Sequence, residues 1–251
     1  MIISLTGLIG SGKDTVADHL IENYDFVQLS FAESVKDALS KIFGWDREML
    51  EGKTKEHREK RNQVDTWWGT QLGIPNFTPR FAMQNFGTDV MRKHFHDSIW
   101  VLSVKDKITR LQQKNPSVRI VISDSRYINE LDMLVKELDG FSIEITRGPL
   151  PSWWQSALNH NKLQSNFEKF LYRLYLKHID KSDNFIKQNV HSSEYDWVGY
   201  TFSRTLFNNG TIEELKSNVD LIVAQQLAIQ KARARTIEAL LRDTESEEII
   251  V

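Results

Sequence analysis

The sequence predicts an α/β fold built on a parallel sheet, and three observations carry that reading. "IISLTG" (Ile2 to Gly7) and "VRIVIS" (Val118 to Ser123) are short, almost wholly apolar and β-branched, the composition of strands covered on both faces. Weaker strand candidates, "FVQLSF" (Phe26 to Phe31), "FSIEIT" (Phe141 to Thr146) and "TLFNN" (Thr205 to Asn209), alternate with helical patterns. The first strand runs directly into a glycine-rich loop and then a helix. Such alternation places ligands at the carboxyl ends of the strands.

In chain order the helical patterns are "DTVADHLIENY", "AESVKDALSKIFG", "PRFAMQNFGTDVMRKHF", "SVKDKITRLQQK" and "RYINELDMLVKEL", the third expected as one helix beginning near Pro79. Two segments break the alternation. Gly44 to Pro79 is polar, rich in charge and tryptophan-bearing, and Pro149 to Gly199 is a long insertion with a helical centre, "NFEKFLYRLYLKHI". Both read as surface subdomains that close over a site. After Asn218 a long helical pattern ends in an acidic tip, the pattern of a docking or dimerising helix, with a homodimer as its expected product. Asn208 to Thr211 reads as a strand-to-helix turn in which Thr211 caps "IEEL".

The 251 residues are 40% apolar, enough for one elaborated domain. The absence of cysteine excludes a disulfide scaffold, a thiolate metal site and a cysteine nucleophile. A formal charge of −2 gives no overall attraction to nucleic acid or anionic membrane, and neither partner is expected. The start lacks a basic leader pattern, and no run reaches the ~18 apolar residues of a membrane span, so the expectation is a soluble, cytoplasmic protein.

"GLIGSGKDT" (Gly7 to Thr15) fits G-x-x-x-x-G-K between a strand and a helix, the context the motif requires. Glycines turn backbone N–H groups inward, the helix offers its positive end, and Lys13 supplies a point charge for β and γ phosphates. Gly10, Ser11, Gly12, Lys13, Asp14 and Thr15 are the candidate donor-phosphate residues. Asp14 stands where the usual pattern has a magnesium-touching hydroxyl; it reads as a magnesium-shell carboxylate or a first-turn helix stabiliser. No "NKxD" string is present to read guanine, so ATP is the expected donor.

A second phosphate site is suggested by "TPRFAMQNFGTDVMRKHFHDSIW" (Thr78 to Trp100). Arg80 and Gln84, four apart, share a helix face, offering a cation for phosphate and an amide for a base edge; Gly87 and Thr88 follow. "VISDSRYINE" ends a strand with Asp124 and Arg126, placed to orient magnesium or its water and to reach the transferred phosphoryl group. Glu130 reads as a clamp on one of these arginines or as a helix-face carboxylate.

Together "GLIGSGKDT", "SFAESVKDAL", "TPRFAMQNFGTD", "DSIW", "ISDSRYINE", "HSSE" (His191 to Glu194) and "LFNNGTIEEL" resemble the deoxynucleoside monophosphate kinases of large tailed bacteriophages. The resemblance covers most of residues 1–220. It implies a P-loop nucleoside monophosphate kinase-like three-layer fold, magnesium, and transfer from ATP to deoxynucleoside monophosphates in the cytoplasm of an infected bacterium. On this view residues 1–220 form the kinase domain, with an acceptor-binding segment at about 44–100 and a lid at about 148–200, and residues 221–251 form a helix and acidic tail. Matched motif by motif, the resemblance implies donor contacts from Ser11, Lys13, Asp14 and Thr15. It implies acceptor contacts from Arg80, Gln84, Gly87, Thr88, Trp100, Asp124, Arg126 and Glu130, with Lys13, Arg80, Asp124 and Arg126 catalytic. Phe81 stands where some relatives carry a basic residue. Lid cations are expected from Arg147, also an ATP-site candidate, and from Arg173, Lys177, Lys181, Lys187 and Arg204. His191 and Glu194 read as a hydrogen-bonded structural pair. Rival readings are a P-loop kinase with a hydroxyl acceptor, similar to dephospho-coenzyme A kinase with Asp124 as base, and an ATP-hydrolysing module that grips DNA through Lys53 to Arg61.

Overall fold

In a computed structural model, which describes residues 1–164, 186 and 190–248, the expected strands form one parallel sheet. They are β1 (Ile2–Thr6), β2 (Phe26–Leu29), β3 (Arg119–Ile122), β4 (Phe141–Thr146) and β5 (Arg204–Phe207), in the order β2-β3-β1-β4-β5. Ile3 lies opposite Val121 of β3 on one side and Phe141 of β4 on the other. The chain leaves β1 toward β2 and later crosses to β4, so the carboxyl end of β1 is the switch point at which such sheets bind ligands.

The helices are α1 (Lys13–Tyr24), α2 (Glu33–Phe43), α3 (Arg47–Glu51), α4 (Lys55–Lys60), α5 (Thr66–Leu72), α6 (Pro79–Gln84), α7 (Ile99–Lys114), α8 (Ile128–Asp132), α9 (Trp154–Gln164), α10 (Ser192–Tyr195) and α11 (Ile212–Glu248). Successive strand side chains serve opposite faces. Ile3, Leu5, Val121, Ile143 and Ile145 meet Val16, Leu20, Val219, Ile222 and Val223 of α1 and α11. On the other face Ile2, Ile120 and Ile122 meet Val35, Leu39, Val104 and Ile108 of α2 and α7. Both faces are thus covered, which is why β1 and β3 read as continuous apolar runs.

Residues 44–79 fold as α3, α4 and α5, each capped by a polar side chain: Asp46, Thr54 and Asp65 accept backbone N–H groups at their starts. An aromatic cluster attaches this segment to α2, with Phe43 stacked on Trp45 at 4.4 Å and edge-on to Trp68 at 4.9 Å. A separate small core of Ala157, Ile186, Tyr195, Trp197 and Val198, with Trp153 and Trp154 against it, holds the described part of the insertion onto Leu131.

The sequence predicts one α-helix from Pro79 to Phe95, but the structure changes pitch after Gln84. Asn85–Phe95 is a π-helix, and Met133–Glu137 a shorter one, closing with i→i−5 bonds such as His96 N to Met91 O (2.9 Å) and Leu138 N to Met133 O (3.2 Å). Partners outside the first of these helices hold one of its carbonyls and one of its side chains. Trp100 Nε1 donates to the Gly87 carbonyl at 2.8 Å, and Arg92 is drawn into a buried pair with Glu130 at 3.2 Å. Helix α11 is continuous across the expected boundary at residue 220, because Val219, Ile222 and Val223 form one buried stripe.

Candidate active site

Gly7 to Gly12 wrap the carboxyl end of β1. Gly7 has no room for a side chain: a Cβ there would lie 2.3 Å from the Ile145 carbonyl oxygen. Gly12 caps α1 in the left-handed region (φ 107), and a Cβ would meet Asn208 Nδ2 at 2.5 Å. That amide donates to the Ser11 carbonyl at 2.8 Å, so the turn after β5 braces the loop. Ser11 Oγ is buried and has no hydrogen-bond partner among the described residues. Lys13 Nζ donates to the Gly7 and Leu8 carbonyls, 2.8 Å each. Burial first, and then the like charge of Arg126, lower the Lys13 ammonium from 10.5 to about 8, while Asp14, Glu194 and Asp124 pull it upward. Asp14 is exposed on the first turn of α1. Thr211 caps α11 reciprocally with Glu214, at 3.1 Å in each direction, as its spacing predicts.

Asp124 follows β3, and its carboxylate accepts three bonds at the start of α2: from Ser30 Oγ (2.6 Å), Phe31 N (3.1 Å) and Ala32 N (3.0 Å). Arg126 donates through Nη1 to Glu194 Oε1 at 3.0 Å, and the same oxygen lies 3.7 Å from Arg80 Nη2. Arg80, on the first turn of α6, also donates its backbone N–H to the Arg61 carbonyl at 2.9 Å. Burial and then the like charge of Arg80 push the Arg61 pKa down, with Arg126 and Arg58 adding to it. Arg80 and Arg126 are joined by Glu194 of α10, with Arg61 bonded to the Arg80 backbone and Lys13 feeling the charge of Arg126.

Glu130 is fully buried and serves neither arginine side chain expected of it. Its Oε2 accepts the backbone N–H groups of Arg126 (2.7 Å) and Tyr127 (3.1 Å), and its Oε1 accepts from Arg92 (3.2 Å). Burial pushes its carboxyl up to about 8, opposed by Arg92 and those two amides. Arg92 lies over the Tyr127 ring, 3.8 Å from its centroid, and Tyr127 Oη is 2.9 Å from Thr88 Oγ1 and 3.2 Å from Ser192 Oγ. Thr88, Arg92, Tyr127, Asn129, Ser192 and Asp196 line much of a cavity of about 380 Å³. Trp100 is buried and reaches the site only through Gly87, while Gln84 is half-buried at the end of α6. His191 and Glu194 are hydrogen-bonded through the backbone, Glu194 N donating to the His191 carbonyl at 2.9 Å, but their side chains part: His191 Nδ1 is 2.8 Å from Ser193 Oγ and accepts the Ser193 N–H at 3.3 Å, and the Glu194 carboxylate turns to the arginines.

Arg147 is exposed at the end of β4, and Arg204 belongs to β5, where it bonds Gln225 at 3.3 Å rather than joining a lid. The other expected lid cations, Arg173, Lys177, Lys181 and Lys187, lie outside the described residues. Lys60 and Lys55 pair with Glu56 (2.8 Å) and Glu59 (3.8 Å), so α4 offers mixed charge rather than a phosphate track. Among the described residues no group of three or more His, Asp or Glu could hold a metal, and no helix is long and apolar enough to cross a membrane. Asp14 and Asp124, two of the three carboxylates whose charge acts on Lys13, are the number that magnesium takes when phosphate oxygens complete its shell.

No family model matches the chain. A protein of Acanthamoeba polyphaga mimivirus, provisionally named a deoxynucleotide monophosphate kinase, is 35% identical over 159 residues, 61% of this chain and 77% of that protein. Among solved structures, a gluconokinase from Sinorhizobium meliloti 1021 covers 91% of this chain and 95% of its own at 12% identity (TM-score 0.38). A dephospho-CoA kinase from Campylobacter jejuni covers 89% of this chain and 96% of its own at 14% identity (TM-score 0.38).

Proposed function

We propose, because this chain belongs to the family of P-loop nucleotide kinases represented by the mimivirus protein, that it transfers the γ-phosphoryl group of ATP to the phosphate of a deoxynucleoside monophosphate. The observation that carries the reading is Arg80 and Arg126 converging on one Glu194 oxygen, with the Arg61 carbonyl bonded to the Arg80 N–H, in addition to Lys13: more cation than a donor triphosphate alone requires. A phosphate acceptor is a dianion near neutral pH, its second pKa being about 6, and needs no general base. An acceptor oxygen attacks the γ-phosphorus, the bond to the β-phosphate oxygen breaks, and ADP leaves with that electron pair.

The chain's own contribution is alignment and charge neutralisation. The loop N–H groups and Lys13 hold the donor phosphates, and Arg80 and Arg126, with Arg61 behind them, hold the acceptor's phosphate. The cavity beside Thr88 and Tyr127 takes the nucleoside, its hydroxyls serving base or sugar edges. Asp14, and Asp124 through the lone pairs its three donors leave, would hold a magnesium ion, which when bound screens the β and γ oxygens. Asp124 is fixed by three donors at the start of α2, and a phosphate acceptor asks no proton transfer of it, whereas a hydroxyl acceptor would require it as a base.

The test is incubation of the protein with magnesium, ATP and each of dAMP, dGMP, dCMP, dTMP and the ribonucleotides, with products resolved by chromatography. Deoxynucleoside diphosphate in equal amount to ADP is the expected result. ADP formed with no phosphorylated acceptor overturns the reading in favour of hydrolysis, and phosphorylation of a hydroxyl compound instead overturns it in favour of the rival kinase.

A further inference from the structure

Glu194 has no part in the transfer proposed above, yet its carboxylate meets both arginines assigned to the acceptor's phosphate. One oxygen, Oε1, accepts from Arg126 at 3.0 Å and lies 3.7 Å from Arg80. The Glu194 side chain is 19% exposed against 39% for Arg80 and 41% for Arg126, so the carboxylate lies deeper than the guanidiniums it joins. The backbone that carries it is pinned. His191 caps α10, Tyr127 Oη and Ser192 Oγ are 3.2 Å apart, and Ile128 N donates to Asp196 Oδ2 at 2.9 Å. An anion held between two guanidiniums is also the arrangement by which arginines bind a phosphate.

We infer that Glu194 is a stand-in for the acceptor's phosphate, holding Arg80 and Arg126 together until an acceptor binds and yielding them to an incoming oxyanion. The inference rests on reading these two arginines as the acceptor's phosphate site. Without the carboxylate the like charges of Arg80 and Arg126, which now share one Glu194 oxygen, would face one another unscreened. With it, every acceptor must displace an internal competitor, and apparent affinity is lowered by the fraction of time the arginines are occupied. A dianionic phosphate monoester competes better than a singly charged carboxylate or phosphodiester, so the same carboxylate sharpens selection of the acceptor's end group.

The test uses the full chain, without ATP, and inorganic phosphate as the probe in calorimetric titration. Glu194→Gln keeps an oxygen for Arg126 and removes the charge; it is expected to bind phosphate about tenfold tighter than the unaltered protein, as loss of a competitor present about nine-tenths of the time requires. Phosphate should also raise the melting temperature of the variant more than that of the unaltered protein. In steady state KM for the acceptor falls while kcat does not rise, a split that a merely structural glutamate would not produce. Equal or weaker phosphate binding by folded Glu194→Gln, or no detectable binding by either protein, overturns the inference. Should Glu194→Gln not fold, Glu194→Asp retains the charge but withdraws it by one methylene, and it too must bind phosphate more tightly. The probe needs no knowledge of the acceptor. Tighter phosphate binding in a protein that phosphorylates no monophosphate would leave the stand-in role intact and defeat only the acceptor reading.

Discussion

Lys13 is the residue whose protonation depends most on what fills the loop. Burial, with Arg126 adding to it, brings its ammonium down to about 8, and only the charged form attracts the donor phosphates. ATP affinity is therefore expected to be flat below that pH and to weaken above it, with proton uptake on binding near pH 8 seen as a buffer-dependent heat. The sign for stability is opposite. An unfolded lysine keeps its proton to about 10.5 while the folded ligand-free protein gives it up at about 8, so between those values the unfolded chain binds more protons and stability rises with pH. Lys13→Met should abolish both dependences; an unchanged pH profile of ATP binding would refute the assignment. Arg126→Ala should lower turnover on the order of 10²-fold with ATP binding little changed, the pattern of a cation used in the transition state. Near-normal turnover at saturating substrates would remove Arg126 from the transfer centre. Lys13, Arg80 and Arg126 were legible because each stands at a motif or at the start or end of an element. Glu194, Arg61 and Asn208 were not, since their contacts join distant parts of the chain: Glu194 is 68 residues from Arg126 and Asn208 is 197 from Ser11. Asp124 was legible in position but not in use, because nothing local shows that α2 takes its carboxylate.

The phosphate loop shows how little freedom an element has once its neighbours are fixed. Gly7 and Gly10 both have positive φ, 152 and 79, but their surroundings differ. A Cβ at Gly7 collides with the backbone carbonyl of Ile145 on β4, which cannot withdraw without disturbing the β1–β4 pairing, whereas a Cβ at Gly10 meets nothing within 4 Å. Gly10→Ala should therefore cost only the left-handed backbone penalty, roughly 1 kcal/mol. Gly7→Ala should cost about 3 kcal/mol, at the upper end for forced overpacking. Urea unfolding of both variants checks the order, and equal losses would mean that the loop moves freely against β4. Strands and most helices were readable from period and composition, since they answer to local preference and to burial on both faces. The π-helix was not: "NFGTDVMRKHF" satisfies an α-helical pattern well enough, and its distinguishing contacts come from elsewhere in the chain, Trp100 bonding the Gly87 carbonyl while Tyr127 and Glu130 hold the Thr88 and Arg92 side chains. Such helices cluster at functional sites, and this one delivers Thr88 and Arg92 to the cavity.

Across the whole molecule, α11 changes from core element to projecting rod without any break in its backbone. In its first half Leu215, Val219, Ile222 and Val223 close one face of the sheet, and Asp220 accepts from Tyr24 Oη at 2.7 Å and lies 2.6 Å from His19 Nε2. Beyond Leu227 the side chains from Ala228 to Ile237 are exposed, and Arg233 pairs with Asp139 at the surface. The change from buried to exposed side chains along α11 thus falls near residue 228, within the segment 221–251 that the resemblance left outside the kinase domain. Ending the chain after Gln230 removes, among the described residues, one exposed ion pair, a contact of the class that contributes about 0–1 kcal/mol, so the unfolding free energy should change by no more than about that amount. Turnover should not change. Ending it after Asn218 strips four apolar side chains, Val219, Ile222, Val223 and Leu227, from the α1 face of the sheet. At about 1.5–3 kcal/mol for each fully buried side chain, that loss rivals the 5–15 kcal/mol by which a domain of ordinary stability is folded. The shorter form is expected to lack a cooperative unfolding transition by circular dichroism. A cooperative transition kept by the form ended after Asn218 would show that the sheet does not need the buried stripe of α11, and a loss of several kcal/mol from the form ended after Gln230 would show that the exposed half contributes through contacts to another molecule, a second copy of the chain first among them.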